Sequence, residues 1–134
     1  MMSSIRARDT KPEMLVRRHL HGLGFRYRLS LRTLPGKPDL VLPRYRAAIF
    51  VHGCFWHGHR DCRFATVPTT RTEFWTAKIS ANRGRDATSE QKLRNLCWRV
   101  AVVWECALKS NQSDALRKVV DFVVADRLTI EISG

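Results

Sequence analysis

Acidic residues are scarce in this sequence, and long apolar runs are absent from it. Aspartate and glutamate number 12 against 24 lysines and arginines, which gives a formal charge of +12 at pH 7. No apolar run approaches the roughly 18 to 20 residues that a membrane-spanning helix requires, and the N-terminus lacks the apolar core of a secretory signal. We therefore predict a cytoplasmic protein without a membrane partner. Its charge indicates a polyanionic partner, first of all nucleic acid, with a merely basic soluble protein as the alternative.

Cysteine is also sparse, with four residues in a chain of 134. Without a secretory signal a reducing compartment is expected, where clustered cysteines hold metal more often than they form disulfides. The length predicts a single domain over residues 1–134 with its own core. The first residues are polar and basic, so residues 1–10 are interpreted either as a frayed tail or as a flexible arm that contacts DNA.

The hydrophobic pattern predicts an α/β fold in which a mixed β-sheet is flanked by helices. Thr10 and Glu13 have the spacing of a capping box, so the first helix is expected to begin there and to end near Gly22 and Gly24. Leu23 and Leu96 are expected to face the core. The other expected elements are strands at 25–29, 39–43, 47–51, 98–104 and 128–132, and helices at 72–79, bent near 82–86 and continuing over 88–96, and at 113–125.

A short segment after the third predicted strand concentrates the residue types that bind metals. Cys54, His59 and Cys62 have the spacing C-x4-H-x2-C, and thiolate and imidazole donors in a short loop are typical of tetrahedral Zn²⁺. A structural site needs a fourth ligand. Cys106 follows a core strand and is the predicted fourth ligand, whereas Cys97 has a weaker claim and is assigned as a buried free thiol.

Two histidines and one aspartate near this segment are candidates for catalysis. If zinc takes His59, then His52 and His57 remain available for proton transfer. Asp39 opens the neighbouring strand and is suited to Mg²⁺, with the Val51 carbonyl as a further ligand. Together they indicate phosphodiester hydrolysis. The alternatives are a loop-capping role for Asp39, surface positions for the histidines, and a helix-capping role alone for Glu13.

Phe55 and Trp56 are adjacent aromatic residues within the same segment. Isolated aromatic side chains usually belong to a core. A zinc loop, however, normally lies at the surface, and this chain is strongly basic. Apolar side chains that insert between base pairs unstack and kink DNA, so we interpret the pair as a DNA wedge, with a core position as the alternative.

Four sequence runs together resemble the very-short-patch repair (Vsr) mismatch endonucleases. The runs are LPGKPD at 34–39, FVHGCFWH at 50–57, RTEFW at 71–75 followed by KI at 78–79, and VWECAL at 103–108. The resemblance implies a restriction-endonuclease-like α/β fold, with Pro38 and Asp39 similar to the start of the PD-(D/E)xK core. The second acid and the lysine of that pattern are absent, as they are in the Vsr family. Val51 stands where some members have threonine, so only its carbonyl can contact a metal.

The same resemblance implies the activity and the partners. It implies a Mg²⁺-dependent nick on the 5′ side of the thymine in a T:G mismatch, the product of 5-methylcytosine deamination. MutL and a repair DNA polymerase are the implied protein partners, and a nucleoid-associated monomer is the expected form. Two other hypotheses stay open. One is a zinc-stabilised DNA-binding module without catalysis, and the other is a related endonuclease with another target.

Roles for individual residues also follow from the resemblance. Asp39 would be the principal Mg²⁺ ligand, His57 the general base and His52 a support for the phosphate. Glu13 would hold a water molecule of the Mg²⁺ shell. The implied zinc ligands are Cys54, His59, Cys62 and Cys106, and the implied DNA contacts are Phe55 and Trp56 from one groove and Met2 from the other. Arg71 and Trp75 are further candidate DNA contacts, with a solvated surface position as the alternative for Arg71.

Overall fold

A mixed five-stranded sheet forms the middle of the fold, in a computed structural model that describes residues 10–29, 31, 33–125 and 128–133. The strands are β1 (Arg28–Leu29), β2 (Leu40–Leu42), β3 (Ala47–His52), β4 (Arg99–Trp104) and β5 (Thr129–Ile132), and they lie side by side in this order. The pairs β1–β2 and β2–β3 are antiparallel, whereas β3–β4 and β4–β5 are parallel.

Four helices flank this sheet. They are α1 (Lys11–Gly22), α2 (Thr72–Asn95), α3 (Glu105–Ser110) and α4 (Gln112–Val124). Short 3-10 turns lie at Pro43–Tyr45 and Arg63–Ala65. The predicted α/β class, a mixed sheet flanked by helices, is therefore confirmed. Within the described part of the chain, every helix is too short or too polar to cross a membrane.

Both faces of the central strands are buried. Successive side chains of a strand point to opposite sides of the sheet, so each central strand contributes residues to two core clusters. On one face, Ile49 packs with Leu20 of α1 and Phe122 of α4. On the other face, Phe50 and Trp104 pack with residues of α2 and of the loop after β3. The second face matters most here, because the residues predicted for catalysis and zinc binding gather at its edge.

The predicted hairpin and the central strand are both present in the structure. Leu40 pairs with Ile49 across the hairpin, and β4 lies between β3 and β5. The predicted bend near 82–86 is wrong, because α2 is one continuous helix. Gly84 is tolerated in it without a break. The predicted strand at 25–29 is shorter than expected, and α3 was not predicted.

Two leucines that were expected to face the core are exposed instead. Leu23 is 56% exposed and Leu96 is 51% exposed. Each is the C-cap of its helix, where the backbone leaves helical geometry and the helical periodicity no longer sets the direction of the side chain. The structure therefore corrects both assignments.

Candidate active site and metal centre

The predicted zinc ligands form a compact cluster in the structure. One ligand atom from each of Cys54, His59, Cys62 and Cys106 lies within 4.8 Å of the others. The Cys106 main-chain N–H donates to Cys54 Sγ at 3.4 Å, and Cys106 Sγ is 3.5 Å from His59 Nδ1. Three thiols and one imidazole are a donor set for tetrahedral zinc. The cluster could thus hold a metal such as zinc. Cys97 is exposed, so its predicted burial is wrong.

The chemistry of the cluster agrees with a bound cation. Burial raises the pKa of the Cys54 thiol to about 12 in the absence of metal. Thiolates are the form that binds zinc, and metal binding releases their protons. A metal ion bound to this cluster would therefore displace the proton of the Cys54 thiol.

The loop that carries Cys54, His59 and Cys62 packs against α2 and is hydrogen-bonded to it. Gly58 has a φ of +60°, and a Cβ built on it would lie 2.5 Å from Ile79 Cγ2. The Asn82 side-chain amide donates to the Trp56 carbonyl at 2.8 Å. Within the loop, the His57 main-chain N–H donates to the Gly53 carbonyl at 3.1 Å. Helix α2 therefore fixes the position of the loop and of its histidines.

Asp39 lies at the main chain of β3, as expected for the hairpin. The Val51 N–H donates to Asp39 Oδ2 at 2.7 Å. Burial raises the pKa of Asp39 to about 7, the Val51 N–H opposes this shift, and the Glu13 carboxylate adds to it. Glu13 is 2% exposed, and its Oε2 is 2.6 Å from Arg17 Nη2.

These two carboxyl groups fit a divalent cation. The Glu13 carboxylate is close enough to raise the pKa of Asp39, and the Arg17 guanidinium, which is paired with Glu13, opposes this shift. Buried carboxylates that share too little positive charge are stabilised by a metal ion, and Mg²⁺ takes one or two carboxylates. Glu13 therefore has a partner beyond its helix cap, although Thr10 also accepts its main-chain N–H at 3.4 Å. The Val51 carbonyl as a ligand stays a prediction.

His52 and His57 lie together at the end of β3. Their rings stack with centroids 3.8 Å apart and an interplanar angle of 4°. Burial, together with the neighbouring His57, lowers the pKa of His52 to about 3. His52 is therefore neutral near neutral pH. His57 Nδ1 lies 2.6 Å from Asp86 Oδ2 of α2.

Asp86 is the functional candidate that the sequence analysis missed. It lies in a polar stretch that was interpreted as a bend, whereas the helix continues through it. On a continuous helix, Ile79, Asn82, Asp86 and Leu93 fall on one face at helical spacing. That face is the one that packs on the loop, so a continuous reading of the helix would have placed Asp86 beside His57.

The predicted wedge residues belong to an aromatic cluster formed with α2. Phe55 and Trp56 are 5.1 Å apart between ring centroids, and each lies within 5.6 Å of Trp75. The Arg71 guanidinium lies over Phe74, which packs on Trp75 at 5.0 Å. The structure thus brings together four of the five predicted DNA contacts. Met2 lies outside the described residues, as does all of the predicted arm except Thr10.

Comparison with known proteins agrees with the resemblance seen in the motifs. The family model for DNA mismatch endonuclease Vsr matches residues 1–63. The chain is 50% identical over 108 residues to the Type II nicking enzyme V.XorIIP of Xanthomonas oryzae pv. oryzae, across 81% of this chain and 79% of that protein. It is 46% identical over 110 residues to the Type II nicking enzyme V.NmeAIP of Neisseria meningitidis serogroup A, across 82% of this chain and 78% of that protein.

A further relative covers nearly the whole chain. The DNA mismatch endonuclease Vsr of Escherichia coli K12 is 44% identical over 133 residues, across 99% of this chain and 81% of that protein. Identity at this level over most of both chains implies a shared fold and the same general activity, so DNA is the substrate. The chain is a DNA endonuclease and belongs to the Vsr family of DNA mismatch endonucleases.

Proposed function

We propose that this endonuclease nicks DNA on the 5′ side of the thymine in T:G mismatches that arise from deaminated 5-methylcytosine, and that the reaction depends on Mg²⁺. The observation that carries the proposal is the pairing of groups around the end of β3. Half-buried Asp39 accepts a hydrogen bond from the Val51 N–H and lies near the buried Glu13 carboxylate. A histidine hydrogen-bonded to a carboxylate stacks on His52. A DNA-binding module without catalysis needs neither arrangement.

Asp39 and Glu13 would hold the Mg²⁺ ion, with the Val51 carbonyl as a further ligand. Bound there, the ion would stabilise the charge that develops on the scissile phosphate. The protein contributes rigidity to this site. Asp39 is held by the Val51 N–H, and Glu13 is held by Arg17, so both carboxylates are oriented before DNA binds.

His57 would act as the general base. Asp86 accepts a hydrogen bond from His57 Nδ1, which leaves the Nε2 lone pair available for a proton of the attacking water. Asp86 also stabilises the imidazolium that forms when the proton arrives. The water oxygen then bonds to phosphorus as the bond to the leaving sugar oxygen breaks.

His52 would support the phosphate rather than move a proton. Its lowered pKa keeps the ring uncharged at neutral pH. A neutral imidazole can donate one hydrogen bond to a phosphate oxygen, and it does not compete with His57 for the proton of the water. The two stacked histidines thus have different roles because their surroundings differ.

Recognition of the mismatch would depend on the aromatic cluster of Phe55, Trp56 and Trp75. Half-buried rings that pack edge to face present apolar surface that can enter a weakened base step. Arg71, beside the cluster, would contact a phosphate, and Met2 would enter from the opposite groove. The net charge of +12 supplies the general attraction to DNA.

The endonuclease would act as a monomer with two protein partners. A monomer is sufficient because one lesion offers one site for cleavage. The nick would be extended by a repair DNA polymerase, and MutL would be a further partner. The site of action would be the nucleoid.

A strand-specific nicking assay tests the proposed substrate. Duplexes that differ only at one pair, T:G, C:G or T:A, are incubated with the zinc-loaded protein and Mg²⁺. We expect a nick in the thymine strand of the T:G duplex alone. Equal cutting of all three duplexes would contradict the mismatch specificity and favour a related endonuclease with another target. Tight binding to T:G without any nick would favour the binding-module hypothesis.

A further inference from the structure

A cavity of about 500 Å³ lies beside the stacked histidines, and Trp104 at the end of β4 forms part of its wall. We propose that Trp104, anchored by Glu131 of β5, is a positioning residue for His52 and His57. The roles of the two histidines rest on the proposed function. The positioning itself rests on contacts between described residues.

Trp104 contacts His59 of the metal cluster and His52 of the stacked histidine pair. Its ring stacks on His59 with centroids 4.0 Å apart and an interplanar angle of 9°. Its ring also packs edge-on against the His52 ring, with centroids 5.1 Å apart and an interplanar angle of 72°. His52 is the residue that pairs with Trp104 in the β3–β4 register. One side chain, only 8% exposed, therefore links a zinc-cluster residue to the catalytic pair.

Glu131 fixes the orientation of this indole ring. Trp104 Nε1 donates to Glu131 Oε2 at 2.5 Å, and a hydrogen bond to an ionised acceptor is stronger than one between neutral groups. Glu131 pairs with Val102 in the sheet, which brings its side chain to the same cavity wall as Trp104. Among the described residues, β5 thus contributes a side chain to the active-site region.

His52 depends on such a neighbour because hydrogen bonding does not orient its ring. A catalytic histidine is usually oriented by a hydrogen bond to its second ring nitrogen. His52 Nδ1 is buried and has no hydrogen-bond partner among the described residues. Ring packing must orient it instead, and the packing partners are His57, Trp104 and Phe50. Of these rings, Trp104 is the one held by a hydrogen bond to Glu131 of β5.

The test compares Glu131→Ala, Glu131→Gln and Trp104→Phe with the wild-type holoenzyme. For Glu131→Ala we expect a decrease in kcat of about tenfold, typical of an outer-sphere partner, with KM and bound zinc unchanged. Glu131→Gln should restore kcat, because the amide oxygen accepts the same N–H. Trp104→Phe lacks the donor, so adding Glu131→Ala to it should cause no further decrease. Thr129→Ala, exposed on the same strand, is the matched control.

The position of the His52 ring is measured independently of activity by NMR. Its ring-proton resonance, assigned from the His52→Asn spectrum, should shift in Glu131→Ala and return in Glu131→Gln. An unchanged kcat and an unchanged resonance in Glu131→Ala would overturn the positioning role. A decrease in kcat that accompanies zinc release, or an equal decrease in kcat in Glu131→Gln, would also overturn the positioning role. If the wild type fails to nick T:G duplexes, the proposed function fails, while the resonance still decides on the positioning.

Discussion

Asp39 is a single residue in which stability and function oppose each other. Burial, with Glu13 beside it, raises its pKa from 3.8 to about 7. A carboxyl group with a raised pKa contributes stability below its unfolded pKa, and that contribution is lost as the pH rises through the folded pKa. Without metal, the protein therefore becomes less stable between about pH 4 and pH 7 because of this group.

Replacing Asp39 with Asn should remove this loss. We expect Asp39→Asn to be more stable than the wild type above about pH 7, by up to about 4 kcal/mol, and equally stable near pH 4. Urea denaturation of the zinc-loaded, Mg²⁺-free protein across this range measures the difference. The lowered pKa of His52 acts in the opposite direction, but it is common to both proteins and cancels. Asp121→Asn, at an exposed position of α4, is the control. A difference that does not grow with pH would contradict the account.

The hydrogen bond between His57 and Asp86 gives a second prediction at the scale of residues. Asp86→Asn should lower kcat by about 100-fold or more, because the amide no longer stabilises the imidazolium or selects the Nδ1–H tautomer. DNA binding should be unchanged. Glu90→Gln changes a different carboxyl group of the same cavity and serves as the control. Single-turnover nicking that is equal in the two variants would exclude Asp86 from the mechanism.

The Cys/His cluster makes a third prediction, since three of its residues lie in the loop after β3 and the fourth, Cys106, lies in α3. Cys106→Ser should lose bound zinc, measured by elemental analysis, and should unfold at a lower temperature, because metal binding contributes folding free energy. Cys97→Ser is the matched control, since Cys97 is exposed and lies outside the cluster. Zinc retention by the Cys106 variant at the wild-type level would contradict the assignment.

At the scale of elements, the contact between the metal loop and α2 is tested with two glycines. Gly58→Ala should destabilise the protein by about 1–3 kcal/mol, because the left-handed backbone is strained and the new methyl group meets Ile79. Gly84→Ala within α2 has no atom within 4 Å of its new Cβ and should stabilise by about 0.5–1 kcal/mol. Thermal unfolding measures both. The account would be wrong if the two variants changed stability in the same direction.

There is a physical reason why some elements could be predicted from the sequence and others could not. The strands of the hairpin and β4 are continuous apolar runs, and such runs indicate strands that are buried on both faces. Helix α3 has only six residues and begins immediately after β4, so its periodicity is too short to be recognised. Asp86 lies 29 residues from His57, and their contact depends on how α2 packs on the loop.

At the scale of the whole molecule, the local motif predicted the metal cluster better than the active site. The type and spacing of the thiols and imidazole in the loop indicate a metal site, and Cys106 joins them in a cluster that could hold a metal such as zinc. The proposed catalytic groups instead come from α1, the residue before β2, the end of β3, the loop after β3 and α2. The resemblance to Vsr supplied roles for Asp39, Glu13 and His57, while Asp86 emerged only from the three-dimensional arrangement.

The central claim is that zinc holds the loop while Mg²⁺ at Asp39 supports catalysis. It is tested most directly with zinc-loaded wild type and Asp39→Ala on a T:G duplex, with nicking and binding measured as Mg²⁺ is added. We predict that the wild type nicks only when Mg²⁺ is present. Asp39→Ala should bind the duplex with the wild-type Kd, retain its zinc and leave both strands intact. Nicking by Asp39→Ala at the wild-type rate, or nicking by the wild type with zinc alone, would contradict the account.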